Sequence, residues 1–141
     1  MKTPKYFKLE ELLTSSVARQ KSIENIPSWE IVEHLLELCE LLDKLREDWG
    51  SGIRVSSGFR NEKLNTAVSG AKTSAHMRGF AADVYPANGK MDEFVAFIKK
   101  WAKDKAFDQI IIESKGKSRW VHIGLRDSKG NQRRQIFNIN L

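Results

Sequence analysis

Two histidines and one aspartate stand in settings that suit metal-dependent hydrolysis. His76 and Asp83 lie seven positions apart in the stretch S-A-H-M-R-G-F-A-A-D, which spans Ser74–Asp83, and His122 lies in W-V-H-I-G-L. Two imidazoles, one carboxylate and an open position suit a catalytic zinc, and the same set binds iron(II) in facial-triad oxygenases. The three residues are therefore candidate metal ligands. Their spacing alone is equally compatible with three unconnected side chains.

Both segments that lead to a candidate ligand alternate as β-strands do, so each can present that ligand on one face. In A-A-D-V-Y, Asp83 and Tyr85 face the same side. In W-V-H-I-G-L, Trp120, His122 and Gly124 share a face, and the apolar residues between them face the core. The pattern predicts two strands that present the candidate ligands on one face and pack apolar side chains into the core on the other.

Helical periodicity predicts two amphipathic helices that would support these strands. The longer helix covers residues 29–49, with Ser28 as its N-cap and Gly50 after its end. The second begins at Asp92. Further strands are predicted in F-D-Q-I-I-I-E and in the tail R-R-Q-I-F-N-I-N-L. Helices followed by strands with short turns predict an α+β fold with a mainly antiparallel sheet, in a single domain over residues 1–141.

Composition excludes several classes of protein. A chain of 141 residues with 40% hydrophobic and 30% charged residues is typical of a soluble globular protein. No apolar run approaches the roughly 20 residues of a membrane helix, and the N-terminus lacks the apolar region of a signal peptide, which predicts cytoplasmic synthesis. The single cysteine, Cys39, excludes an internal disulfide and is predicted to be a buried structural thiol.

The net charge of +6 favours an anionic partner. Nucleic acid is one such partner, but the sequence contains no nucleic-acid-binding motif, and the basic residues are scattered along the chain. An anionic cell wall is another. His34 has Glu30, Glu33 and Glu37 as helical neighbours and is predicted to be a surface residue.

Three motifs in a fixed order resemble the zinc-dependent D-Ala-D-Ala carboxypeptidase family, whose relatives include L-alanyl-D-glutamate endolysins and D,D-dipeptidases. They are S-G-F-R-N, S-A-H-M-R-G-F-A-A-D and W-V-H-I-G, against the family pattern S-G-x-R, S-x-H-x-x-G-x-A-x-D and W-x-H. The opening F-K-L-E-E-L-L, the N-x-P before the long helix and L-N-T-A-V-S-G-A are similar to a short, single-domain branch with phage and prophage members. The resemblance implies the hedgehog/DD-peptidase fold.

The resemblance also implies a role for most of the candidate residues. The implied Zn²⁺ ligands are His76, Asp83 and His122. Arg60 would hold a carbonyl oxygen or a carboxylate of the substrate, a role that suits an always-charged guanidinium able to bind an oxyanion with two donors. The residues expected to contact or surround the substrate are Ser74, Tyr85 and Trp120.

The general base is where this chain departs from the family pattern. In the endolysins and dipeptidases a glutamate lies three residues before the last histidine, and here that position is Arg119. Glu113 is the nearest carboxylate upstream and is expected on the neighbouring strand, from which it could take a proton from zinc-activated water. Asp108, at the start of the same strand, is a second candidate, as a hydrogen-bond partner of a ligand histidine.

The expected function is that of a zinc metallopeptidase that cleaves peptidoglycan stem peptides, at either a terminal D-Ala-D-Ala bond or an internal L-Ala-D-Glu bond. The enzyme would be a monomer without membrane insertion, released to the cell wall as a phage or prophage lysin. Two alternatives stand beside it. Arg119 favours a non-catalytic cell-wall-binding domain that retains the zinc site. An iron(II) oxygenase would use the same ligands, although its common form places the carboxylate two positions from the histidine.

Overall fold

The protein has the predicted α+β architecture. The computed structural model describes residues 3–141, and in these a five-stranded sheet packs against helices. The α-helices are α1 (Leu9–Leu13), α2 (Ser16–Gln20), α3 (Trp29–Trp49), α4 (Glu62–Ala67) and α5 (Met91–Trp101). The strands are β1 (Ile53–Ser57), β2 (Ala81–Pro86), β3 (Gln109–Lys115), β4 (Ser118–Gly124) and β5 (Gln135–Asn140). Two 3₁₀ helices cover Ala75–Arg78 and Ala102–Asp104.

The long helix α3 has the limits that its sequence predicts. The Ser28 side chain accepts a hydrogen bond from the backbone N–H of Ile31, and Gly50, with φ of +76°, ends the helix in the left-handed conformation. Cys39 is fully buried, and burial raises the pKa of its thiol to about 12, so the prediction of a buried structural cysteine is confirmed. The buried stripe around it consists of Leu35, Leu38, Leu41, Leu42 and Leu45.

The sheet has the strand order β1-β2-β4-β3-β5, and only the β3–β5 pair is parallel. One row of directly paired residues crosses all five strands: Ser57, Asp83, His122, Ile111 and Phe137. Directly paired residues of neighbouring strands project from the same face of a sheet. The register therefore places two of the candidate ligands side by side.

The other face of the sheet is the apolar core. The strands contribute Val84, Val121, Ile123, Ile110 and Ile112, which pack in one cluster with Phe94 and Ile98 of α5. With this face covered, the opposite face is left to carry polar side chains. Among the described helices, none combines the length and the apolar character that crossing a bilayer requires.

Two details differ from the sequence-based expectation. Helix α5 begins at Met91, one residue before the predicted Asp92. His34 is partly exposed beside Glu30, but it also has contacts that the sequence did not predict: its ring stacks on that of Phe80 at a centroid distance of 4.0 Å and lies with Nδ1 2.6 Å from the carbonyl oxygen of Arg78. These contacts were not predicted because they come from a segment distant in sequence. His34 thus fastens the segment after the 3₁₀ helix 75–78 to α3.

Candidate metal centre and its cleft

The three candidate ligands meet at one point. His76, Asp83 and His122 each offer a ligand atom, and these atoms all lie within 4.8 Å of one another. Oδ1 of Asp83 is 3.3 Å from Nε2 of His76 and 3.2 Å from Nδ1 of His122. His76 and Asp83 are buried, and His122 is partly exposed. A compact group of nitrogen and oxygen donors with one open side can hold a metal ion.

The position of His76 follows from a short, well-capped 3₁₀ helix. The Ser74 hydroxyl accepts a hydrogen bond from the backbone N–H of His76 at 3.2 Å. At the other end, Gly79 has φ of +76°, and a Cβ at this position would lie 2.9 Å from the carbonyl oxygen of Ile31. Only glycine fits both the conformation and the close approach. The turn therefore packs directly on α3 and holds the imidazole in place.

A backbone carbonyl fixes the protonation of His76. Its Nδ1 lies 2.8 Å from the carbonyl oxygen of Gly58, which can only accept a hydrogen bond, so Nδ1 carries the hydrogen. In the neutral ring, Nε2 then has a lone pair, and this lone pair faces Oδ1 of Asp83 at 3.3 Å. Two acceptors at this distance repel each other unless a cation lies between them. The donor set thus fits a metal ion.

Electrostatics keep the ligands in the forms that bind metal. Burial lowers the pKa of His76, and this outweighs the opposing effect of Asp83, so the imidazole is neutral at pH 7. Burial alone would raise the pKa of Asp83, but its interactions with the adjacent rings of His76 and His122 hold this pKa below its usual range. A neutral imidazole and an ionised carboxylate are the forms that metal ions bind.

Arg60 stands next to the three ligands with unused hydrogen-bonding capacity. Its Nη2 donates to the Ser74 hydroxyl at 3.4 Å, and its backbone N–H donates to the carbonyl of His76. Its Nε is buried and has no hydrogen-bond partner within residues 3–141. Burial lowers the pKa of Arg60, while the charges of Asp83 and Glu113 raise it. A partly buried guanidinium on the wall of the cleft is suited to hold a substrate oxygen.

These residues line one open cleft of about 630 Å³. The sequence-predicted site residues on its wall are Arg60, Ser74, His76, Asp83, Glu113, Trp120 and His122. Tyr85 does not line it. It borders an adjoining hollow of about 440 Å³, into which Asp83 and Trp120 also project. The sequence therefore identified seven residues of the cleft and one at its margin.

Glu113 and Arg119 have opposite surroundings. Glu113 is paired with Trp120 across the β3–β4 hairpin, and the indole Nε1 donates to its Oε1 at 2.9 Å. Arg119 forms an ion pair of 2.6 Å with Asp92 at the start of α5 and is absent from the wall of the cleft. Glu113 on β3 thus places a carboxylate on the wall of the cleft, whereas Arg119 borders the adjoining hollow and is paired with Asp92.

The proposed role of Asp108 as a partner of a ligand histidine is wrong. Its carboxylate accepts three hydrogen bonds from Arg133: from the backbone N–H at 3.0 Å, from Nε at 2.8 Å and from Nη2 at 2.8 Å. Both residues line the cleft. Sequence reasoning missed this pair because an ion pair between distant segments has no local signature.

Sequence reasoning also missed the role of two glycines. A Cβ at Gly58 would lie 2.3 Å from the carbonyl oxygen of Leu12, so glycine allows α1 to approach the strand end that holds His76. A Cβ at Gly124 would lie 3.2 Å from Nε2 of His122. Gly58 lies in the motif S-G-F-R and Gly124 lies in W-V-H-I-G. Their places in these motifs were the signal that could have identified them.

Together, an α+β fold and an open cleft with two histidines, a carboxylate and a buried arginine are the arrangement of a metal-dependent hydrolase. A sequence model of peptidase M15 matches residues 5–124. The chain belongs to the peptidase M15 family, whose members are peptidases. The match covers every candidate residue of the site and ends before β5. No curated protein matches the chain.

Proposed function

We propose that the protein is a zinc-dependent peptidase that cleaves peptidoglycan stem peptides. The observation that carries this proposal is the lone pair of His76 Nε2 facing the carboxylate of Asp83, beside a second imidazole, in an open cleft. This donor set suits zinc, because two neutral imidazoles and one carboxylate leave one position open for chemistry. Bound zinc would polarise a peptide carbonyl and lower the pKa of a water.

Glu113 is the proposed general base. One carboxylate oxygen is held by the indole of Trp120, and the second can take a proton from water and return it to the leaving amine. Arg119 cannot take this role, since its guanidinium stays protonated and is engaged by Asp92.

Arg60 is the proposed binding group for the oxygen that gains negative charge during attack. Its guanidinium lines the cleft and is partly buried, and a charged donor in a site of low dielectric stabilises such charge more strongly than one in water. Ser74 holds Nη2 of the same guanidinium and so orients it.

The substrate class and setting are supported by charge. A net charge of +6 suits an anionic cell-wall polymer, and peptide bonds in its stems are the proposed target. The proposed working form is a monomer that acts at the cell wall after release from the cytoplasm, as a phage or prophage lysin does.

The decisive experiment compares three proteins purified without added metal: wild type, Glu113→Gln and Arg119→Gln. Each is analysed for metal and incubated with muropeptides, and mass spectrometry identifies the cleaved bond. We expect about one zinc per chain in all three and a loss of roughly 10²–10⁴ in rate for Glu113→Gln only. Arg119→Gln is the matched control, since it changes the adjacent strand outside the cleft.

Stoichiometric iron, or a fully active Glu113→Gln, would contradict the proposal. An intact zinc site without cleavage by wild type would favour a cell-wall-binding domain.

A further inference from the structure

The two most exposed large apolar side chains among residues 3–141 lie close together in the sequence. Ile26 is 71% exposed and Trp29 is 84% exposed, and they flank the Pro27-Ser28 step at which α3 begins. Burial of such side chains is a main source of stability, so two of them left in water at one place call for a binding partner.

Ile26 forms part of the wall of an apolar groove of about 420 Å³, which lies outside the metal cleft. Its apolar lining comprises Ile26, Ile31, Phe59 and Met77, and its charged lining comprises the basic Lys72 and Arg78 and the acidic Glu62. The groove falls within the roughly 300–1,000 Å³ of sites that bind small ligands or segments of larger ones. Lys72 and Arg78 are exposed and so available as hydrogen-bond donors.

The apolar groove is continuous with the metal cleft. Thr73 and Ser74 line both hollows. His76 lines the cleft, whereas Met77 and Arg78, the next two residues of the same 3₁₀ helix, line the groove. The two hollows therefore adjoin at Thr73 and Ser74, and a long ligand can occupy both.

We propose that the apolar groove binds the N-acetylated glycan strand of peptidoglycan while the attached stem peptide lies in the metal cleft. This inference rests on the proposed function, because it assigns the groove to the other half of the same substrate. Sugar rings and acetyl methyl groups present C–H surfaces that pack on aliphatic and aromatic side chains. Their hydroxyl and acetamido oxygens accept hydrogen bonds from Lys72 and Arg78.

A second copy of this chain fits the groove less well than a glycan. Self-complementary pairing would bring two such faces together, and because each carries two basic residues, Lys72 and Arg78, against one acidic residue, Glu62, both are net positive and repel. The glycan is uncharged along its sugar backbone and is already tethered to the peptide that the cleft would hold.

The first test separates polymer from peptide. The double variant Ile26→Ser/Trp29→Ser removes both exposed apolar side chains, and Ile136→Ser is the matched control, an apolar residue of β5 that is also exposed and lies outside the groove. On intact peptidoglycan sacculi, the double variant should show an apparent KM raised roughly tenfold, the usual cost of removing an interface anchor. On the free stem peptide without sugars, both variants should match wild type. Equal losses of the double variant on both substrates, or none on either, would overturn the glycan assignment.

The second test needs no catalysis. A tetramer of β-1,4-linked N-acetylglucosamine is titrated into ¹⁵N-labelled protein, and the amide signals of Ile26, Ile31 and Met77 should shift in wild type and not in the double variant. Absence of these shifts, or shifts confined to the metal cleft, contradicts the inference. So does a self-association by sedimentation that the double variant abolishes. If wild type cleaves neither substrate but the shifts are present, the proposed function fails while the glycan groove stands.

Discussion

Asp83 and Asp108 are two buried carboxylates on the wall of the same cleft, and their surroundings are opposite. Asp108 is 2% exposed, and three N–H groups of Arg133 satisfy both of its oxygens. Asp83 is 9% exposed and faces two imidazole nitrogens, one of which points a lone pair at it. One carboxylate is neutralised within the chain, and the other is left with an incomplete set of partners.

The difference distinguishes a carboxylate that stabilises the fold from a carboxylate that is available to bind a cation. A buried carboxylate must be paired, and Asp108 gains its pair when the segment before β5 folds onto β3. Asp83 faces the lone pair of His76 Nε2, which offers it no hydrogen, so its full pairing requires a cation from outside the chain. Burial alone therefore does not identify the reactive carboxylate, whereas the donor or acceptor character of its neighbours does.

The largest effect on zinc binding and activity is expected when Asp83 is replaced. Asp83→Asn should abolish stoichiometric zinc binding and lower peptidase activity roughly a thousandfold or more, because the ion supplies several kcal/mol of transition-state stabilisation. The metal-free variant should be no less stable than metal-free wild type, since the amide relieves the contact between two acceptors. Metal analysis, activity and urea unfolding with a chelator measure the three effects. A variant that retains zinc would exclude Asp83 as a ligand.

Replacement of Asp108 should give the reverse result. Asp108→Asn removes a charged acceptor from Arg133 and should lower the free energy of unfolding by about 2 kcal/mol, the typical worth of hydrogen bonds to a charged group. Zinc content should stay at the wild-type level. Urea unfolding and metal analysis of the same preparation provide the measurement. If zinc is lost without a change in stability, the division of roles between the two aspartates is wrong.

A smaller loss of zinc affinity is expected when Gly124 is replaced. This residue lies on β4, between β2, which carries Asp83, and β3, which follows Asp108. Its carbonyl accepts from the N–H of Asp108, and a Cβ here would press on Nε2 of His122 and on the carbonyl oxygen of Gln109, each at 3.2 Å. Gly124→Ala should therefore tilt the imidazole and weaken zinc binding roughly tenfold, as disturbed ligand orientation does. Competition with a zinc chelator gives the affinity, and unchanged binding would show that the ring can move without loss.

The smallest expected effect is a change in the free energy of unfolding with pH. Burial holds the pKa of His76 in the folded protein below the 6.5 of the free side chain, so the unfolded chain takes up this proton first as the pH falls. The contribution of His76 to stability is therefore complete above pH 6.5 and is lost progressively below it. Urea unfolding of metal-free protein between pH 7.5 and 5 should show this decline, and His76→Gln should reduce the slope. An identical slope in both proteins would place the titration elsewhere.

Local patterns predicted most of the helices and strands and singled out the three candidate ligands that the fold brings together, whereas the long-range contacts could not be read from them. The limits of α3 follow from Ser28 and Gly50, because caps act on adjacent backbone groups. The carbonyl of Gly58 that fixes the tautomer of His76 could not be predicted, since every residue has a carbonyl and only the fold selects one. The pair of Asp108 with Arg133 was hidden for a similar reason: the two residues are 25 positions apart.

If zinc binds as proposed, the direct pairing of Asp83 with His122 across β2 and β4 makes zinc content an assay for correct strand alignment. Because side chains alternate between faces, a slip of one residue would turn His122 into the apolar core and bring Val121 or Ile123 to the open face. A misaligned molecule could still be collapsed and rich in strand, yet it would have no third ligand. Bound zinc in a refolded preparation thus counts the molecules whose sheet has assembled in register, which spectroscopy of secondary structure alone would not distinguish.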